Sequence, residues 1–386
     1  MPISNISIIK SQKSPYYGEK EKQLIALAVA WQNYPPAQAG DVKINFYSDD
    51  LTLYSELRKK RITAQKIYLG KSPIGFKNFF IFTLFSPFLF IFSLFFIPYL
   101  KFIQKKKTLI LIDIPEKIAF TFIAKILGMN VVWEEFYLSK KWSILNPYRL
   151  IYLLFSRFAK IFTYSNAAKK NLIKTGISKK IAVIYPGINM QEIDTQESLL
   201  AELNKNDPQN KKIFKIGTIC NLSKNNGLEY LLQALKIITE IIPSAQLVII
   251  GTGEERFNLN WLVRRLNLGK HIWFIGYQEN YYYWLKGFDL FISPALTEQS
   301  INYAIIEAMA NFCPIIASNL EGTEEIVKNN LCGVLIEPAN PEMLAQTVIN
   351  LYRDNKTREE LAKNSHKRVA AVFNIERMID DFSKIF

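Results

Sequence analysis

Between Ser293 and Thr347 one carboxylate and the loop before it stand where chemistry on a phosphorylated ligand can be done. A strand ends at Ser293-Pro294, a polar loop follows, and the pattern predicts a helix that begins near Ser300 and carries Glu307. The first amides of such a helix have no intrahelical partner and can hold a phosphate. A carboxylate inside it can accept two hydroxyl hydrogens from a ribose, and the same spacing equally suits an exposed, solvated glutamate. Gly251 and Gly253 follow the strand AQLVIIG, where glycines either let the chain pass close to a ligand or serve a plain turn. Glu134 and Glu135 close the strand NVVWEEF as a pair that can do acid–base work or simply face solvent.

The elements that must hold these groups alternate along the whole chain. From Ile6 to about Pro186 they include an apolar opening strand, a helix over EKQLIALAVAW, strands DVKINFYS and TLILIDI, and a helix EKIAFTFIAKIL. NVVWEEF, a helix near NPYRLIYLLFSRFAK, KIFTYS, a helix NAAKKNLIKTG and KIAVIYPG complete that series. Residues 191–212 are polar, contain Pro208 and show no strand pattern, which suits a connection. A second series opens with FKIGTIC and runs to GVLIEP and a helical PEMLAQTVINLYRD. Strands separated by helices pair in parallel and carry helices on both faces. Two domains, 1–190 and 191–386, are therefore expected, with the final helix returning to the first, and a ligand would lie at the carboxyl ends of the strands.

Residues 78–100 carry no charge and precede Lys101 and Lys105 to Lys107. Their number alone permits a membrane span. A span would put DVKINFYS and TLILIDI on opposite sides of a bilayer, whereas the alternation wants them in one sheet. Pro87 and Pro98 are expected to break the run into shorter pieces, and monotopic insertion at an anionic membrane surface is the expectation, against burial on the sheet or a partner subunit. The formal net charge of +14 agrees with an anionic partner. No RNA-binding signature or compact basic–aromatic motif points to nucleic acid. Cys220, Cys313 and Cys332 are odd in number and far apart, and are read as reduced core thiols. The polar N-terminus lacks the order of a secretory signal, so the catalytic part is expected in the cytoplasm, on the inner face of the membrane.

The stretch from Ser293 to Thr347 resembles the signature of the large retaining glycosyltransferase family 4. The similarity is strong over residues 211–386 and weak but continuous before them. In that family one glutamate opens the loop, a second lies in the helix after seven intervening residues, and EAMA leads to a proline-led strand. Glu307-Ala308-Met309-Ala310 and Pro314 to Ser318 match. The resemblance implies an α/β protein of the GT-B fold: two Rossmann-like, doubly wound parallel-sheet domains facing across a cleft. The second would hold a nucleotide-sugar, with a UDP or GDP carrier, and the first a glycan or lipid-linked acceptor.

By the same resemblance Glu307 holds the donor ribose, while the loop glutamate and the amides near Ser300 and Ile301 meet sugar and phosphate. Eight residues separate Glu298 from Glu307, so either Glu298 serves after a one-residue loop extension or Gln299, in the expected register, has replaced it. The family's arginine and lysine after the first strand of the second domain correspond to Asn221 and Asn226, with Lys224 between them as the remaining charge. Gly251, Gly253, Phe274, Gly276 and Tyr277 match the donor side. In the first domain Gly18 stands for a glycine-rich loop. The family's histidine has no counterpart, because His271 and His366 lie elsewhere and Glu135 is the nearby candidate. The implied reaction is retaining sugar transfer that depends on positioning and charge stabilisation, with no metal and no cofactor. The losses at Asn221, Asn226 and Phe136 motivate the rival reading, a non-catalytic or partner-dependent subunit of a membrane glycan-assembly complex.

Overall fold

The computed structural model describes residues 5–11, 19–33, 43–74, 76–136, 146–177, 180–190, 213–278, 280–297 and 301–385. The chain divides into two compact units, one of Met1–Gly187 with Ile375–Phe386 and another of Ile188–Asn374. The polar stretch 191–212 lies outside the described residues.

In the first unit the elements run β1 (Ile6–Lys10), α1 (Glu19–Asn33), β2 (Ile44–Ser48), α2 (Leu51–Lys59), β3 (Thr63–Lys66), α3 (Phe76–Pro98), β4 (Thr108–Leu111) and α4 (Ile114–Ile126). They continue with β5 (Asn130–Glu134), α5 (Pro147–Ser156), β6 (Lys160–Thr163), α6 (Asn166–Lys174) and β7 (Ile181–Val183). The sheet order is β3-β2-β1-β4-β5-β6-β7, and every pairing is parallel. Apolar stretches such as Ile6–Ile9 and Val131–Trp133 are buried on both faces, as a covered parallel sheet requires. Side-chain caps fix where helices begin: Asp50 accepts from the amides of Thr52 and Leu53 at 3.0 and 3.2 Å, and Ser165 from Ala168 at 3.0 Å. Helix α2 and strand β3 are not legible in the sequence, because β3 is short, polar and at the sheet edge.

The apolar run departs from expectation, since α3 is one continuous helix with Pro87 and Pro98 inside it. Proline at 87 removes the amide that would bond the Thr83 carbonyl, and the Ser86 hydroxyl donates to that carbonyl at 3.0 Å instead. Beyond Pro98 the chain continues as a π-helical turn, Tyr99–Ile103. The strands on either side of α3 belong to the same sheet, so α3 is a crossover helix and does not span a bilayer. Of the lysines after it, Lys106 is buried, with its ammonium donating to the Lys43 carbonyl at 3.2 Å. It therefore does not face an external surface as expected.

The second unit runs β8 (Phe214–Ile219), α7 (Leu228–Ile241), β9 (Ala245–Ile250), α8 (Arg256–Arg265), β10 (Ile272–Gly276), α9 (Tyr282–Leu285), β11 (Leu290–Ser293) and α10 (Tyr303–Ala310). Then come β12 (Ile315–Ser318), α11 (Glu321–Ile326), β13 (Val334–Ile336), α12 (Pro341–Arg353) and α13 (Asn355–Val372). Its parallel sheet has the order β10-β9-β8-β11-β12-β13, which reverses direction between β8 and β11. The amphipathic α7 and α12 pack together, and Leu231, Leu235, Ile238, Leu344 and Val348 share one core with Ile216 and Leu247. The last helix, α14 (Ile375–Ser383), belongs to the first unit, where Phe382 meets the edges of Trp31 and Phe162 with centroids 4.6 and 4.9 Å apart. Cys313 and Cys332 are buried free thiols and Cys220 is half-buried.

Candidate functional site

Where a parallel sheet reverses its order, the loops after the two central strands separate and leave a crevice at their carboxyl ends. In the second unit those loops follow β8 and β11. The β8 loop contains a 3-10 turn, Lys224–Asn226, ended by Gly227 in the left-handed region at φ 63°. The β11 loop comes back against it, with the Leu296 amide donating to the Asn225 carbonyl at 2.8 Å. A Cβ on Gly227 would stand 2.0 Å from the Pro294 carbonyl oxygen, so only glycine allows this approach.

Helix α10 starts two to three residues later than the sequence pattern predicts. Asn302 is its cap: the side-chain oxygen accepts from the Ile305 amide at 3.3 Å and its amide group donates to Ser293 Oγ at 3.0 Å. Asparagine in this role sets the start, because it satisfies an orphan donor that a helix beginning at Ser300 would leave elsewhere. Ile301 is fully buried ahead of the cap. Glu298, Gln299 and Ser300 lie outside the described residues, as does Gly18 in the first unit.

Glu307 occupies the middle of α10 with 1% of its surface exposed. The reading of it as a solvated surface charge is therefore excluded. Its carboxylate accepts a hydrogen bond from the Tyr281 phenol, and burial, then the neighbouring Glu307 charge, pushes the Tyr281 pKa well up. The phenol consequently stays a donor. A carboxylate offers about four acceptor directions, enough for one phenol and a vicinal diol. Tyr281 stacks on Tyr282 with centroids 5.0 Å apart. Sequence reasoning missed Tyr281, although the run Tyr281-Tyr282-Tyr283-Trp284 was its available signal.

The remaining second-unit candidates fall into two groups. Lys224 is exposed at the tip of its turn, and its ammonium forms no ion pair with a described residue. Asn226 serves the turn itself, its amide donating to the Asn221 carbonyl at 2.6 Å and to Ser223 Oγ at 3.3 Å. Asn221 is exposed on the same loop. Gly251 and Gly253 serve backbone packing: a Cβ would lie 1.9 Å from the Cys220 oxygen and 2.3 Å from the Leu222 oxygen respectively. The β8 and β9 loops lock together there through Leu222 N to Thr252 O at 2.9 Å. Phe274 is half-buried with the Arg256 guanidinium 4.0 Å over its ring, a contact the sequence did not suggest. Gly276 has φ 82° and open space where a Cβ would be, and Tyr277 beside it is exposed.

The first unit reverses its strand order between β1 and β4, and charged groups gather at the carboxyl ends of its strands. Lys10 bridges Asp50 at 3.0 Å and Glu21 at 3.2 Å, all three buried. Glu135 is also buried, paired with Lys117 at 2.6 Å and accepting from the Tyr152 phenol, while Glu134 accepts from Tyr164. These glutamates are thus not solvent-facing, and Glu135 is a neutralised member of an ion pair. Phe136 rests against Tyr164, with centroids 5.0 Å apart.

Glu116 accepts from the Asp113 amide at 2.7 Å and from Ser11. Burial first, and then the Asp113 carboxylate, raise its pKa from 4.5 to about 7. A raised carboxyl pKa contributes stability that is fully present below pH 4.5 and is lost as pH rises through about 7. Glu116→Gln is therefore expected to be less sensitive to pH, the wild type losing on the order of 1–2 kcal/mol more between about pH 5 and about pH 8. Urea unfolding of both proteins across that range measures the difference.

Glu307 is thus a buried carboxylate on the helix that follows the β11 loop. Residues 201–368 match the family described as glycosyl transferases group 1. That match covers most of the second unit. The chain is 28% identical over 216 residues to the UDP-Gal:alpha-D-GlcNAc-diphosphoundecaprenol alpha-1,3-galactosyltransferase of Escherichia coli, an alignment covering 54% of each. The chain spans about 60% of the length of the curated relatives it matches. Among solved structures, a glycosyltransferase from Rickettsia africae superposes with TM-score 0.79 at 20% identity, covering 99% of this chain and 97% of that one. Anabaena HepE in complex with UDP gives 0.77 at 17% identity, with 98% of each chain covered. These structural likenesses establish the GT-B fold.

Proposed function

We propose that the protein is a retaining glycosyltransferase that moves a sugar from a UDP- or GDP-sugar to a glycan or lipid-linked acceptor, working at the cytoplasmic face of a membrane. The observation that carries this reading is Glu307, a buried carboxylate on α10 beside the loops where the second sheet reverses. Its carboxylate takes the ribose hydroxyls, oriented by Tyr281. The HepE structure with UDP and the galactosyltransferase named for a UDP-Gal donor and a diphosphoundecaprenol acceptor support the donor and acceptor classes.

In the proposed step the bond from the anomeric carbon to the diphosphate breaks. The acceptor oxygen bonds to the same face of that carbon, and its proton passes to the departing diphosphate. Charge grows on the diphosphate as it leaves, and a fixed cation nearby stabilises it. Lys224 is the exposed cation on the β8 loop and takes that role, while Glu298 or Gln299 and the amides near Ile301 face sugar and phosphate. No metal ion or cofactor is part of the proposal.

Calorimetric titration with UDP, GDP and their sugars tests it. Saturable binding of one nucleotide series is expected, and Lys224→Ala, which breaks no side-chain contact among the described residues, is expected to lower affinity about tenfold, roughly one charge-assisted contact. The second reading, a non-catalytic subunit, draws on Asn226, whose side chain is committed to its own turn. A folded protein that binds none of these nucleotides would select it.

A further inference from the structure

Helix α3 sets two stripes of side chains on opposite sides. Phe82, Leu89, Ser93 and Ile97 point inward, and Phe82, Leu89 and Ile97 join the core shared with Phe120 of α4. Leu84, Phe88, Ile91 and Phe95, spaced as one helical face, point outward with 79, 67, 54 and 74% exposure. The outward face does not stop at α3. Phe122 and Ile126 of α4 and Leu150 and Leu154 of α5, with Phe158 just beyond, are exposed too, and α3 packs on α4 and α4 on α5. Exposed large apolar side chains gathered on three helices that pack in series are the mark of an interaction surface.

Along the chain, the stretches that carry α3 and α5 are charged with one sign. Between Glu56 and Asp113 the sequence holds eleven lysines and arginines and no carboxylate, and between Glu135 and Glu192 it holds ten and none. These two stretches contain α3 and α5 entire. Lys77 stands exposed at the start of α3, Lys105 and Lys107 follow its end, and Arg157 follows α5. Arg157 also lines a groove of about 610 Å³ with Lys169, Lys180, Lys384 and one carboxylate, Asp381.

We infer that the α3–α4–α5 face is a docking surface for the anionic leaflet of a lipid bilayer, with the helices lying in the interface and the cations on phosphate headgroups. A second copy of this chain is disfavoured as occupant, because two such faces would oppose cation to cation, and a nucleic acid offers no partner for the exposed aliphatic Leu84, Ile91, Ile126 and Leu150. Anionic lipid satisfies both at once. The inference rests on the membrane-face part of the proposed function and not on its chemistry: docking needs no donor, so vesicle binding stands or falls separately from nucleotide binding.

The experiment is sedimentation of the full chain with phosphatidylcholine vesicles, with and without phosphatidylglycerol, at low and high salt. Wild type is expected to pellet with the phosphatidylglycerol vesicles and to be partly released by salt. The triple variant Leu84→Ser, Phe88→Ser, Phe95→Ser is expected to lose about tenfold or more of its partitioning, with its thermal transition retained. As a second probe that keeps the bulk of the site, Phe95→Trp is expected to shift its emission to the blue on vesicle addition and to be quenched by spin-labelled lipid. Wild type that stays in solution with both vesicle types, or a Phe95→Trp signal unmoved by lipid, would overturn the inference. So would a dimer by light scattering that the triple variant dissociates and that binds no vesicle.

Discussion

Glu307→Gln is expected to lower nucleotide affinity about 100-fold, near 3 kcal/mol, while the protein stays folded. The size follows from the site. A buried carboxylate accepting two ribose hydroxyls makes two charge-assisted hydrogen bonds, each worth roughly 1.5–3 kcal/mol, and the amide replaces one acceptor by a donor. Glutamine keeps the volume and one oxygen, so the Tyr281 phenol retains a partner and the fully buried neighbours Ile306 and Met309 need not move. A change to alanine would instead confound binding with an empty site behind α10. Calorimetry with the preferred nucleotide, beside a thermal melt, separates the two effects. Affinity unchanged in a folded Glu307→Gln protein would remove the donor from this site and with it the reading of α10 as a ribose holder.

Much of the fold was legible because parallel sheets buried on both faces write their strands as short apolar runs. Val131 to Trp133 and Leu290 to Ile292 needed no context to be read as strands. Strand β3 and helix α2 were not legible, because an edge strand reading Thr-Ala-Gln-Lys buries little and carries no pattern. Glu307 was located from its surroundings in sequence, but its burial, which excludes a solvated surface charge, and its Tyr281 contact are things that sequence cannot show. Glu135 illustrates the converse. A strand-end glutamate reads as exposed, and only the fold brings Lys117 from α4 to within 2.6 Å of it. The expected breaks at Pro87 and Pro98 failed, at Pro87 for a local reason, since the serine one residue before it supplies the donor that proline lacks. The loop of Glu298 to Ser300, expected to meet sugar and phosphate, was read from sequence alone, and those residues lie outside the described structure.

Gly227→Ala is expected to cost the second unit on the order of 2–4 kcal/mol. Two terms add. A left-handed φ of 63° costs an alanine about 1 kcal/mol by itself. The new methyl would also stand 2.0 Å from the Pro294 carbonyl oxygen and 3.2 Å from Leu296 Cδ2, and backbone cannot yield as a flexible side chain can. Relief requires the β8 and β11 loops to part, which breaks the Leu296 to Asn225 hydrogen bond and moves Lys224 relative to α10. Gly276→Ala is the control that isolates the first term. Its φ of 82° is also left-handed, yet nothing lies within 4 Å of the added methyl, so about 1 kcal/mol is expected there. Denaturant unfolding of both variants gives the difference, and nucleotide titration shows its consequence: weaker binding in Gly227→Ala through the displaced loops. Equal destabilisation of the two would mean that the loops are not held in contact in solution, and the crevice at the switch point would lose the close approach on which the proposed donor site depends.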